Sequence, residues 1–187
     1  MTGGGVGEQG AALRIRRAVL EDAAPIALIH VRTWQAAYRG LMPDKLLDGL
    51  SIAEREDLWR GVLTEDEGPA VYVAITDDAV VGFCAVAAPS RDADAQESVA
   101  EIGAIYVHPD VWRLGVGRAL MDAALGGLRA AGWRWVTLWV FAENQRARDF
   151  YARFGLGPDG AETTDDRSGQ KEVRLRGSLT VDLPAVS

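Results

Sequence analysis

Cysteine occurs once in the 187 residues, at Cys84, which excludes an intrachain disulfide and any metal site built from several thiolates. Histidine occurs twice. His30 and His108 stand far apart with no carboxylate cluster joining them, so no metal is expected. No apolar run approaches the roughly 20 residues that cross a bilayer, and Met1–Gly10 lacks the charged-then-apolar layout of a signal peptide. The expected setting is therefore the cytoplasm, with no membrane partner. Basic residues are outnumbered, 20 Lys+Arg against 27 Asp+Glu for a net charge of −7. That balance opposes general nucleic-acid binding, because phosphates require a basic surface. What is present, 48% hydrophobic and 25% charged residues, is the profile of one globular domain acting on something small or on another protein.

Residues 1–11 are glycine-rich with little to bury and are expected to form a flexible tail, leaving residues 12–183 as a single domain. The period-two alternation Leu13-Arg14-Ile15-Arg16 predicts a first strand. Asp22 offers a helix N-cap, and Ile26, Ile29, His30, Thr33, Trp34 and Ala37 continue at helical spacing to about Tyr38. Ser51 with Glu54 three residues on forms a capping box that opens a second helix through Trp59. Ala70–Thr76 and Ala79–Ala88, joined at Asp77-Asp78, read as a hairpin. Val99–Val107 is a strand stopped by Pro109. Val116, Ala119, Leu120, Ala123, Ala124 and Leu128 hold the spacing of a packed helix. Trp135–Phe141 is a strand, Asn144 caps a helix through Phe154, and Lys171–Leu179 is a last strand. Residues 157–170 are polar and turn-rich and read as a loop. Strand–helix–strand over Val99–Phe141 is a βαβ unit beside an antiparallel hairpin, which makes a mixed α/β sheet with helices on both faces.

The stretch from Val107 to Met121 carries the functional signal. A strand runs through a short loop into a helix around Gly115 and Gly117, where converging backbone N–H groups and the helix dipole favour phosphate. A dinucleotide fingerprint would need a third small residue where Leu120 stands, and no Gly-Lys-Ser/Thr triplet completes a Walker loop. The Val107-His-Pro109 turn, the glycines at 115 and 117 and the following Arg118-Ala-Leu-Met121 instead resemble the signature of the GNAT family of acyl-CoA N-acyltransferases. Asn144-x-x-Ala147-x-x-Phe150-Tyr151-x-x-Phe154-Gly155 is similar to that family's next helix. One departure is Trp112, which stands where the family has Arg or Gln.

The resemblance implies a three-layer α-β-α fold whose mixed, mostly antiparallel, twisted sheet is splayed between the fourth and fifth strands. It implies acetyl-CoA as co-substrate, bound by Ile105, Tyr106, Val107, Arg113, Leu114, Gly115, Val116, Gly117, Arg118, Asn144 and Ala147. Of the catalytic groups, Glu101 stands eleven residues before Trp112, where a branch of the family has a general base, and Tyr151 stands where many members have the tyrosine that serves the departing thiolate. Trp34, Tyr38 and Trp139 are candidates for the acceptor side. The implied reaction is direct acetyl transfer to a primary amine of a small molecule or protein, which suits the absence of a convincing nucleophile. The competing reading is a catalytically idle acyl-CoA-binding sensor or interaction module. The resemblance also allows a homodimer, which no residue here establishes.

Overall fold

The computed structural model describes residues 12–65, 68 and 70–180. The expected tail over 1–11 and the end of the domain beyond 180 lie outside the described residues. The chain runs β1 (Arg14–Arg17), α1 (Ala23–Ala37), α2 (Asp44–Asp48), α3 (Ile52–Thr64), β2 (Ala70–Thr76), β3 (Ala79–Ala87), β4 (Val99–Val107), α4 (Val116–Ala130), β5 (Trp135–Phe141), α5 (Gln145–Ala152), β6 (Gly157–Thr164) and β7 (Lys171–Ser178). Short 3-10 turns stand at Leu20–Asp22 and Pro109–Val111.

The strands form one sheet in the order β1-β2-β3-β4-β5-β7-β6. Only the β4–β5 pair is parallel; every other pair is antiparallel. This is the mixed sheet the sequence predicts, with one strand more. Residues 157–164, expected as loop, form edge strand β6, and β7 inserts between it and β5. The sheet divides two cores. On one face the apolar stripe of α4 (Val116, Leu120, Met121, Ala124, Leu125, Leu128) packs with α5 against Ala100, Ile102, Val136 and Leu138. On the other face α1 and α3 cover Val71, Val73 and Phe83 with Ile26, Ile29 and Trp59.

Local capping explains where the helices start. The Ser51 hydroxyl accepts the Glu54 N–H at 3.2 Å, and Asn144 Oδ1 accepts the Ala147 N–H at 3.1 Å. Asp22 departs from its expected role. It makes no cap bond to α1; its buried carboxylate instead takes two guanidinium N–H groups of Arg16 at 2.6 and 2.9 Å and the Val19 N–H at 2.8 Å. It therefore ties β1 to the turn before α1. Among the described residues no helix is long and apolar enough to cross a membrane, and no three His, Cys, Asp or Glu gather as a metal would require.

His30, on the apolar face of α1, is a core residue. Its Nδ1 accepts the Trp59 indole N–H at 3.2 Å and its ring stacks on Tyr106 at 5.0 Å. Burial, with smaller effects of Arg55 and Arg167, pushes its imidazole down from 6.5 to about 3. The folded protein thus keeps His30 neutral where the unfolded chain protonates it. The stability this contributes is complete above about pH 6.5 and is lost as pH falls, at about 1.4 kcal/mol per pH unit, until the folded group itself titrates. His30→Gln keeps an acceptor for Trp59 but does not titrate. Urea unfolding from about pH 6.5 down to 4 should show a shallower loss in the variant than in the wild type. Equal losses would assign the acid sensitivity to carboxylates alone.

Candidate active site

The site is built where the sheet opens. β4 and β5 pair only through Val99, Ala100 and Glu101 with Trp135, Val136 and Thr137. The opening follows a bulge: β3 pairs Ala85 with Ala104 and Val86 with Ile102, so Gly103 has no partner and β4 bends away from β5. The His108 N–H bonds the Val81 carbonyl on the β3 side. By strand alternation the backbone groups of Ile105 and Val107 face the other way, into the gap. The Val107 carbonyl is already held there by the Thr33 hydroxyl at 3.0 Å and the Trp112 indole N–H at 2.7 Å.

At the mouth of this gap lies an anion cradle. Arg113 (φ 67°) and Gly115 (φ 86°) take left-handed conformations that turn successive N–H groups toward one side. From Arg113 to Arg118 no backbone N–H finds an acceptor among the described residues, and no side chain caps α4. A Cβ at Gly115 would meet nothing within 4 Å, so the space over the loop is open, while one at Gly117 would touch Phe150 at 3.5 Å and Val107 at 3.8 Å. Unpaired amides at a helix N-terminus, facing open space, fit a pyrophosphate. Leu114 is 69% exposed on the loop, and Val116 is buried and contributes only its N–H. Arg113 and Arg118 supply charge, with Arg118 loosely paired to Asp122 at 3.6 Å. Trp112 explains its own departure from the family pattern: besides its bond to Val107, its ring carries the Arg146 guanidinium at 4.1 Å, which holds a third cation beside the cradle.

On the α4–α5 side of the gap, Ile105, Ala147 and Tyr151 pack at the edge of the core. Asn144 spends its carbonyl on capping α5 and leaves its amide N–H groups to donate. Burial, with Tyr106 and Cys84 close by, pushes the Tyr151 phenol well above its usual range. Its hydroxyl makes no hydrogen bond to the described protein, so it is a protonated donor with nothing yet to donate to. Cys84 is fully buried, and burial pushes its thiol up to about 12, which leaves it inert.

The opposite side of the gap is aromatic. Trp34 lies 5.4 Å from Tyr38, Tyr38 lies 5.1 Å from Phe141, and Tyr106 stands behind them, 6.4 Å from Trp34. Trp139 is not open in the same way: its indole N–H is held by Asp92 at 2.8 Å. Glu101 stands at the closed end of the gap and is 7% exposed. It is therefore not a carboxylate in solvent. Both its oxygens are engaged by Arg91, Oε1 with Nη2 at 2.8 Å and Oε2 with Nε at 3.2 Å and the backbone N–H at 3.1 Å. Gly103 leaves room for this pair, since the Arg91 guanidinium lies 2.8 Å from where its Cβ would be.

Two groups of residues went unmarked in the sequence. The first straps the 88–98 loop across the sheet: Arg174 binds Asp94 through two nitrogens and reaches Asp92 at 3.3 Å and Asp159 at 2.8 Å. The second is Glu172, cross-strand from Phe141 on β7. The alternation Glu172, Arg174, Arg176 was the available signal, since it puts all three on one face of the last strand.

Comparison with known proteins agrees with this geometry. The profile of the acetyltransferase (GNAT) family matches residues 32–156. An uncharacterized N-acetyltransferase of Bacillus subtilis, YuaI, is 30% identical over 131 residues, covering 70% of this chain and 72% of its own. An uncharacterized N-acetyltransferase of Archaeoglobus fulgidus is 30% identical over 143 residues, covering 75% and 90%. Among solved structures, the PaiA N-acetyltransferase of Thermoplasma acidophilum in complex with coenzyme A shares the fold with a TM-score of 0.73 at 17% identity, over 89% of this chain and 99% of that one.

Proposed function

Because the chain belongs to the acetyltransferase (GNAT) family, we propose that it transfers the acetyl group of acetyl-CoA directly to a primary amine. The observation that carries this reading is the run of unpaired N–H groups from Arg113 to Arg118, opening at the mouth of the β4–β5 gap. The cradle takes the pyrophosphate, Arg113, Arg118 and Arg146 offset its charge, and the Asn144 amide donates to the coenzyme nearer the thioester. The reactive thioester itself comes with the coenzyme. The chain's part is to place it along β4, where the Ile105 N–H faces the gap and can donate to the oxygen that becomes negative as the amine attacks.

The attacking amine and the departing thiolate each need their own proton handling. A lysine-like amine of pKa near 10.4 is neutral in only about one molecule in 2,500 at pH 7, which costs roughly 5 kcal/mol unless a base collects the proton. Two carboxylates, Glu101 and Glu172, stand on the acceptor side. The thiolate, with a thiol pKa near 8.5, needs no more than a hydrogen bond or a late proton, and Tyr151 supplies it. Trp34, Tyr38 and Phe141 form the acceptor wall, with Trp139 behind it.

The test is thiol release from acetyl-CoA across a panel of small amines, amino-acid derivatives and peptides, with amine-free hydrolysis subtracted. The expected result is release that depends on one class of amine and matches the acetylated amine formed. Tight acetyl-CoA binding without amine-dependent release would make the protein the idle acyl-CoA-binding module instead.

A further inference from the structure

Glu101 and Glu172 differ in position and in what they already hold. With the bulged Gly103 discounted, Glu101 lies three register steps from Ile105, roughly 10 Å along the strand toward the closed end of the gap. A proton placed on Glu101 would break its pairing with Arg91. Glu172 occupies another place. Continuing the Glu101–Thr137 register, with the bulged Gly103 discounted, sets Tyr106 level with Phe141, and the antiparallel partner of Phe141 is Glu172. Glu172 is therefore level with the part of β4 whose backbone faces the gap. It shares the acceptor face with Phe141, which packs on Tyr38.

Glu172 is half-buried, and among the described residues it makes no ion pair and no hydrogen bond through its side chain. The groups around it are Tyr38 from α1, Tyr106 from β4, Phe141 from β5, Thr163 across the strand on β6, and Asp165 at the β6–β7 turn. Of the cations near this face, Arg174 serves Asp92, Asp94 and Asp159, Arg176 lies over Trp135 at 4.4 Å and Arg55 over Trp34 at 5.7 Å, and neither these nor Arg167 pairs with Glu172 among the described residues. The Trp34 indole N–H is buried in the same aromatic wall without an acceptor. An unpaired carboxylate beside aromatic faces is an arrangement that attracts an ammonium ion, through charge and through the rings together.

Resting on the acetyl-transfer reading, we propose that Glu172 receives the acceptor's ammonium group and takes its proton, while Glu101 acts only as the anchor of Arg91 and the 88–98 loop. The amine arrives as R–NH3+ and gives one proton to the Glu172 carboxylate. The free amine then forms the N–C bond to the thioester carbon as the C–S bond breaks. The remaining surplus N–H proton ends on the departing sulfur by way of Tyr151 or solvent, and Glu172 returns its proton to water. Burial and the nearby Asp165 carboxylate hold the Glu172 carboxyl above its ordinary range, which suits a group that must accept a proton near neutrality.

The experiment compares pH–rate profiles of wild type, Glu172→Gln, Glu172→Asp and Glu101→Gln with an amine that the panel shows to be acetylated. At pH 7, Glu172→Gln should lose about a hundredfold or more in kcat/KM and recover toward the amine's own pKa. Glu172→Asp should keep much of the wild-type profile. Acetyl-CoA affinity by calorimetry should not change in either. Because Glu172 spends its charge half-buried and unpaired, Glu172→Gln should melt no lower than wild type, whereas a purely structural carboxylate would lower the melting temperature when replaced. Glu101→Gln should lower the melting temperature and keep the shape of the wild-type profile. A wild-type profile in Glu172→Gln, or the pH-dependent loss falling on Glu101→Gln instead, overturns the assignment while leaving acetyl transfer intact. A wild-type protein inert toward every amine overturns the acetyl-transfer reading and this proposal with it.

Discussion

Gly115→Val should abolish acetyl-CoA binding in a protein that still folds. Gly115 sits at φ 86°, a conformation that a β-branched residue reaches only at a cost of about 1–2 kcal/mol or more. The new side chain meets nothing in the protein within 4 Å of its Cβ. The domain therefore tolerates the change as a local strain, seen as a modest fall in melting temperature with an unchanged circular dichroism spectrum. Binding does not tolerate it. The side chain enters the open space over the loop, and relief of the strain rotates the amides of residues 113–118 away from their common focus. Gly115→Asn separates the two effects, because asparagine accepts the left-handed conformation and leaves only the obstruction. Calorimetry should find no heat of acetyl-CoA binding in the valine variant and weakened binding in the asparagine variant. A folded valine variant with wild-type affinity would remove the pyrophosphate from this loop.

Tyr151→Phe should lower kcat by about ten- to a hundredfold while leaving acetyl-CoA affinity nearly unchanged, in keeping with the loss of one positioned proton donor. The ring packs beside Phe150 against the core under α4, and phenylalanine keeps that packing. Burial holds the phenol in its protonated form throughout the working range. It can therefore donate to a forming thiolate and cannot serve as the base for the amine. The loss should accordingly be nearly independent of pH, in contrast to the loss expected from Glu172→Gln. A kcat that does not change would leave Tyr151 as a packing residue, and a loss that vanishes at high pH would make it a base.

The parts of the site that were legible in the sequence are those written in local rules. Gly115 and Gly117 after a strand-stopping Pro109 mark a phosphate loop because close approach and a left-handed turn leave few other residues possible. Asn144 announces a helix start for the same local reason. β6 was hidden because Gly157-Pro158-Asp159-Gly160 reads as a turn and its edge strand buries too little for apolar alternation; it forms by pairing with β7. The pairing of Glu101 with Arg91 was equally hidden, because it depends on the 88–98 loop folding back onto β4. Trp112 stood in the sequence as a departure from the motif, and its two contacts, to the Val107 carbonyl and to Arg146, exist only once the loop is folded. Glu172 lies beyond residues 32–156, so no family motif marks it; only the face it shares with Phe141 and Tyr38 does.

The central claim is that the acetyl group passes in one step from coenzyme to amine. The measurement that meets it most directly is a rapid-quench single turnover with isotopically labelled acetyl-CoA and an amine from the panel, following label on the amine, label on the intact protein and free thiol together. The account predicts that labelled amine and free thiol rise at the same rate while the protein's mass stays unchanged throughout. Label that appears first on the protein, or that leaves the coenzyme only as acetate whatever amine is present, would contradict it.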